Sequence, residues 1–364
     1  MSETSMTAMP VPSHVPHDRV VDFNVYDPDP AGTGHDEAWI ALRDRAQPLV
    51  WTTANGGHWI ATRGELIRSI LADHQRFSSK VLMVPREFGI SQLIPVGSDP
   101  PEHLQYRALV NKVFSPASVR ALDGDVRAHA RDLIDQFVGR GQCEFMADFA
   151  RQLPIVVFFK LADLPFEDRE QLEDCLRMLL HPTSAEEQQQ GFASFEDYLV
   201  PFITARRAHP GTDLISAIVS GTVGTRPVSH EEAVLLCTSF VIGGLDTTLA
   251  LMAFSMRHLA QDPPLRRLLA EQPDRIPDAV EEFCRRFPIG VNTREIRQDM
   301  ELAGVAVKGG DLITMPQILH ALDESEYPDP LRVDIDRNWG GNSAFGHGIH
   351  RCPALSSASA RSRS

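Results

Sequence analysis

From Ala233 to Leu259 the chain is almost entirely apolar, and this run constrains the fold more than any other stretch. A helix of that length could cross a bilayer. Asp246 stands near its middle with Thr247 and Thr248 beside it, and a carboxylate in hydrocarbon is costly. A helix buried in the heart of a soluble protein fits better. Gly224-Thr225-Arg226-Pro227-Val228-Ser229 leads into it, and Ser229 with Glu232 three residues on reads as a capping box.

The interruption Gly243-Gly244-Leu245-Asp246-Thr247-Thr248 carries chemistry. Paired glycines let a flat ligand approach the backbone, and Thr247 can bond an earlier carbonyl and bend the helix locally. An acid beside an alcohol inside an apolar core makes a proton-delivery pair; polar groups used for capping or packing are the plainer alternative. A second stretch, Ser343-Ala344-Phe345-Gly346-His347-Gly348-Ile349-His350-Arg351-Cys352, sets a cysteine after a glycine-interrupted loop with cationic or protonatable neighbours. Such surroundings favour thiolate, the form that ligates metal. One thiolate on an aliphatic wall suits a haem iron. His347, His350 and Cys352 also read as three ligands of a zinc site, although no CxxC occurs in the chain.

A net charge of -14 and the lack of a basic run argue against nucleic acid as partner. Cys143, Cys175, Cys237, Cys284 and Cys352 are scattered and odd in number, which suits a reducing compartment. Residues 1–20 read as a flexible arm with no apolar core of a signal peptide or anchor. Asp36 to Ala46 and Gly64 to His74 have helical patterns, flanking two strands, Leu49–Thr52 and His58–Thr62, around the turn Asn55-Gly56-Gly57. Val84 to Pro95 is irregular. A helix opens at Asp99-Pro100-Pro101-Glu102-His103, with His103 and Arg107 on one face. Amphipathic helices follow to Arg206, broken by a loose polar stretch over Ala185–Gly191. After Phe287-Pro288 come short strands at Thr293–Ile296, Met300–Leu302, Val305–Val307 and Leu312–Pro316.

Phe345 to Cys352 resembles the haem-binding signature of the cytochrome P-450 superfamily, departing from it at the last glycine, where Ala354 stands. Gly243–Thr247 resembles the family's G-G-x-D-T, Glu282-Phe283-Cys284-Arg285 its E-x-x-R, and His103 with Arg107 its H-x-x-x-R. The resemblance covers nearly the whole chain and is nearest to the bacterial camphor 5-monooxygenase family. It implies a mainly α fold with a small β-rich part, one domain over 21–352, and a cytoplasmic haem-thiolate monooxygenase working with haem b.

On that resemblance Cys352 is the iron ligand, framed by Phe345, Gly346 and Gly348. His103, Arg107, Arg294 and His350 hold the propionates. Asp246 collects protons and Thr247 holds water that passes them to bound oxygen. Glu282 and Arg285 are structural. Met83, Ser91, Ser239, Ile242, Gly244 and Gly290 line the pocket by position. The camphor-hydroxylating members carry an aromatic hydroxyl at or beside Ser91, whereas no Tyr lies between Tyr26 and Tyr106 here. A related cyclic monoterpenoid, such as the ether cineole, therefore fits better than camphor. Electrons are expected from a two-iron two-sulfur ferredoxin served by a NADH-dependent reductase, docking near Arg107 and Arg351. Family members continue past the cysteine with a long helix and strands. Residues 353–364 are instead low in complexity, so the fold is expected to lack those elements and the reading frame to be truncated or shifted after Cys352. Two rival readings follow: a haem-binding protein without catalysis, against which Asp246 and Thr247 speak, and a product that does not fold, for which the tail speaks.

Overall fold

The computed structural model describes residues 10–32, 34–86, 93–180, 183–337 and 341–353. Ser91 and the tail from 354 onward lie outside them, as do the expectations placed there. In chain order come β1 (Val20–Val21), α1 (His35–Arg45), β2 (Leu49–Thr52), β3 (His58–Ala61), α2 (Gly64–Ala72) and β4 (Phe77–Ser78). The helices α3 (Glu102–Val113), α4 (Pro116–Val138), α5 (Gln152–Ala162), α6 (Arg169–Leu180), α7 (Ala185–Ala208) and α8 (Leu214–Val219) follow. The hairpin β5 (Thr222–Val223) and β6 (Arg226–Pro227) precedes α9 (His230–Gln261). Last are α10 (Pro263–Glu271), α11 (Ile276–Arg286), β7 (Val291–Ile296), β8 (Met300–Leu302), β9 (Val305–Val307), β10 (Leu312–Pro316) and α12 (Gln317–Ala321). The architecture is mainly α with a small β part, as the sequence implies. The chain forms two compact units, one of Leu93–Ala253 and one of Ser2–Gln92 with Phe254–Cys352.

The second unit is built on a sheet of order β1-β2-β3-β10-β7-β4. β2 and β3 are antiparallel with Trp51 opposite Trp59. Asn55, Gly56 and Gly57 make the turn between them with φ of 49°, 82° and 80°, the left-handed region that favours glycine and tolerates asparagine. The two indole rings meet edge-on, centroids 5.2 Å apart, the arrangement that ring quadrupoles prefer. β10 runs parallel to β3 and antiparallel to β7, setting Ile313 opposite both Trp59 and Arg294. Trp39, Trp59, Ile60, Ile67, Phe77 and Ile313 fill the core.

The arm expected over 1–20 touches the rest of its unit at several points from Val11 onward. Val15 is buried, β1 pairs with β2, and His14 Nε2 lies 2.9 Å from Asp311 Oδ2. Spaced valines and proline-stiffened backbone reduce the entropy lost in docking this polar-looking segment.

The first unit packs α3 to α8 and the first half of α9 around Leu109, Phe159, Leu179, Phe195, Ile203 and Val241. α7 starts at Ala185, so the loose stretch expected over Ala185–Gly191 is helix. Ser184 caps it by accepting from Glu187 N–H at 3.1 Å, and Glu186 and Glu187 sit at its positive end. Gly191 is a close approach rather than a breaker: a Cβ there would lie 2.7 Å from Leu179 N on α6.

Among the described residues α9 alone is long and apolar enough to cross a membrane. Burial, expected along its whole length, holds for its first half. Ala233, Leu236, Cys237, Val241 and Leu245 are buried, whereas Gly243, Gly244, Thr247 and Thr248 are exposed. A helix apolar all round is enclosed where neighbours reach every face, and residues of α3, α5, α7 and α8 share the cluster holding its first half.

Candidate active site

The expected site residues divide between the two units. The cysteine loop belongs to the second. Gly346 and Gly348 take φ of 68° and 66°, which a side chain would strain. Gly348 also seats the loop on α2, since a Cβ there would lie 2.8 Å from Ala72 Cα. Cys352 N–H donates to Phe345 O at 2.8 Å, and Gly346 N–H to Ser343 O at 2.8 Å. Cys352 is half-buried and forms no disulfide. His350 Nε2 lies 3.0 Å from Ser79 Oγ. Ser79 directly follows β4, whose Ser78 pairs with Glu295 of β7, next to Arg294. Arg294 is buried, its Nη1 donating to Thr293 O at 2.7 Å. A short hydrogen-bonded path thus ties the loop to the strand carrying Arg294, and Ser79 is a link that the sequence reading missed. The zinc alternative lacks support: no cluster of three His, Cys, Asp or Glu able to hold a metal occurs among the described residues.

Glu282 and Arg285, one helical turn apart on α11, form a two-point ion pair with both bonds at 2.8 Å. Their side chains are 1% and 0% exposed. Arg285 also donates to Ala321, Pro330 and Arg332 carbonyls, and Glu282 accepts from Asp334 N–H. One buried pair therefore pins the irregular chain leading toward the cysteine loop. Of the pocket candidates in this unit, Met83 is half-buried. Gly290 exchanges hydrogen bonds with Gln317, through Gln317 Oε1 at 3.1 Å and Gln317 N–H at 3.0 Å. A Cβ at Gly290 would lie 2.7 Å from Gln317 Oε1.

In the first unit Thr247 Oγ1 donates to Gly243 O at 2.7 Å, the back-bond expected from a threonine in this helix. Asp246 is half-buried beside it. Ser239 Oγ is buried with no hydrogen-bond partner among the described residues, Ile242 packs against the core, and Gly244 is exposed. His103 on α3 is fully buried, and Arg107 is half-buried with Nε donating to Asn111 Oδ1 at 2.9 Å.

The capping box forms reciprocally, Ser229 N–H to Glu232 Oε2 at 2.7 Å and Glu232 N–H to Ser229 Oγ at 3.1 Å. It has a further role that pattern reading missed. Glu232 also accepts from Tyr106 OH at 2.5 Å and from both Arg226 Nη atoms, at 2.7 and 2.6 Å. The Arg226 guanidinium foremost holds the Glu232 carboxyl down at about 2, and burial pushes the Tyr106 phenol up to about 12. Tyr106 lies between His103 and Arg107, so this knot ties α3 to the first turn of α9.

A thiol on a glycine-opened loop, with an imidazole and a buried guanidinium held in the same unit, is a donor set for a flat anionic iron macrocycle bound through sulfur. The residues present fit haem.

The cytochrome P450 family model matches residues 166–353. The probable cytochrome P450 127A1 of Sinorhizobium fredii is 31% identical over 94% of this chain and 85% of its own length. The mycinamicin IV hydroxylase/epoxidase of Micromonospora griseorubida is 31% identical over 81% of this chain and 76% of its own. Among solved structures, CYP101J2 superposes with a TM-score of 0.90 at 38% identity, covering 96% of this chain and 88% of that one. Cytochrome P450 CYP101C1 does so with a TM-score of 0.88 at 39% identity and the same coverage. On fold, motifs and relatives together, the chain belongs to the cytochrome P450 family of haem-dependent monooxygenases.

Proposed function

We propose that this protein hydroxylates a small apolar substrate, a cyclic monoterpenoid of camphor or cineole type. Cys352 ligates the iron, and His103, Arg107, Arg294 and His350 hold the propionates. When bound, haem supplies activation of O2 and insertion of one oxygen atom into a C–H bond. The observation that carries the reading is the Thr247–Gly243 bond. With its hydrogen given to the Gly243 carbonyl, Thr247 Oγ1 presents lone pairs and accepts a hydrogen bond from water. Asp246, next in sequence, replenishes that water's proton.

Met83, Ser91, Ser239, Ile242, Gly244 and Gly290 line the pocket in this reading. The tight Gly290–Gln317 contact supports a compact wall there, and the likeness to the camphor-type members supports the substrate class. Reducing equivalents come from a two-iron two-sulfur ferredoxin and its NADH-dependent reductase, and the exposed side chain of Arg351 beside Cys352 supports an acidic partner. The absence of disulfides among the five cysteines supports a cytoplasmic setting. Titration of the haem-loaded protein with cineole and with camphor tests the substrate. A spin-state shift with cineole at lower concentration than camphor is expected; no shift with either would sink the monoterpenoid assignment.

A further inference from the structure

Ser343 opens the segment that ends at Cys352, and its Oγ lies 2.6 Å from Nδ1 of His320. His320, on α12, is fully buried. Its other nitrogen, Nε2, lies 3.2 Å from Nη1 of Arg68. A guanidinium nitrogen can only donate, and Arg68 Nη1 is within hydrogen-bond reach of Nε2 whereas the carboxylate that an Nε2–H would need, Glu326 Oε2, is 3.6 Å away, so Nε2 carries the lone pair and Nδ1 carries the hydrogen. His320 therefore donates to Ser343. Arg68 is held in turn by its ion pair with Glu326.

Burial keeps the imidazole neutral by pushing it down to about 4, and the charges of Arg68 and His347 act in the same direction against the nearby Glu326. The Tyr327 ring packs 5.5 Å from it, and Gly64 makes room for it, since a Cβ there would run into the ring. Ser343 passes the constraint on. Its carbonyl accepts Gly346 N–H at 2.8 Å, at the first left-handed glycine of the loop.

We propose that His320 is a positioning residue for the thiolate ligand: its Nδ1–H bond to Ser343 fixes the loop that presents Cys352, and the Arg68–Glu326 pair sets the tautomer that makes the bond. The inference rests on Cys352 ligating haem. Groups that orient a metal's ligand in this indirect way govern how firmly the metal is held. A loop free to turn at Ser343 presents its sulfur over a wider range of directions, and haem leaves sooner.

The test uses the full 364-residue protein, loaded with haem, and three variants. His320→Asn keeps a donor at the Nδ1 position and loses the acceptor for Arg68. His320→Gln keeps an acceptor near Nε2 and loses the donor to Ser343. Ser343→Ala removes the hydroxyl alone and leaves the α12 core untouched. Haem loss to an apoglobin acceptor and the reduced carbon-monoxide spectrum are read on each. Expected is about tenfold faster haem loss, with part of the thiolate band replaced by a blue-shifted one, in His320→Gln and Ser343→Ala, while His320→Asn stays near the parent. Equal haem retention in all four proteins overturns the inference, and so does equal loss in Asn and Gln, which would mark a packing role. A parent protein lacking the thiolate band would overturn the Cys352 reading itself, and the inference with it.

Discussion

Two glutamate–arginine pairs serve two parts of this molecule, and they differ chiefly in water. Glu282–Arg285 lies dry, its charges met by further backbone groups and by Arg337. Arg226–Glu232 sits at the start of α9 with the Arg226 side chain 55% exposed. The same two side chains thus make an anchor in one place and a local fastener in the other. An unpaired charge in the dry site has nowhere to go, whereas in the wet site solvent takes over much of what the partner did.

The largest effect should come from Arg285→Ala. It removes both short bonds to buried Glu282, leaving that carboxylate to the more distant Arg337 guanidinium, Nε 3.4 Å away, and the Asp334 N–H, and it frees three carbonyls along the chain toward the cysteine loop, at a cost of about 3–5 kcal/mol. Such a loss rivals the whole stability of many domains, so denaturant titration should find little folded protein; a loss below about 1 kcal/mol would erase the contrast. Gly64→Ala probes the same dry region without charge. Its methyl enters the space of the His320 ring, and overpacking of this sort costs about 1–3 kcal/mol. A thermal midpoint equal to the parent's would mean the region is looser than its burial implies.

Glu232→Gln should cost about 1 kcal/mol at neutral pH, because Arg226 is largely solvated. Its signature is in pH. The folded carboxyl titrates at about 2 against an ordinary 4.5, so its contribution is present above 4.5 and is lost as pH falls from there toward about 2. The variant should flatten the stability profile across that window and match the parent's slope elsewhere. An unchanged slope below 4.5 would show that Glu232 is no better held in the folded chain than in the unfolded one.

How much of this was legible depended on sequence separation. The Trp51–Trp59 hairpin, the Ser229–Glu232 box, the Thr247 back-bond and the Glu282–Arg285 pair all join residues a few positions apart, where helix and strand periods fix who meets whom. The helix opening at Ser184 has the same S-x-x-E pattern as Ser229, and that signal was available. It was obscured by the polar run after it and by Gly191, whose use lies in what α6 brings against it. His14 with Asp311, Ser79 with His350 and His320 with Ser343 stand far apart in sequence. No local period marks such pairs, because the sheet and the packing of α2 and α12 set their distances. Cys352 was legible as a candidate ligand by its loop, but the His320–Ser343 bond was not.

Every role proposed for this protein depends on Cys352 binding haem through sulfur. The carbon-monoxide difference spectrum of the dithionite-reduced, purified 364-residue protein tests it most directly, with Cys352→Ser as control. The far red-shifted Soret band of haem-thiolate proteins is expected in the parent and its loss in the variant. A parent without that band, or a variant that retains it, would mean that Cys352 does not ligate haem.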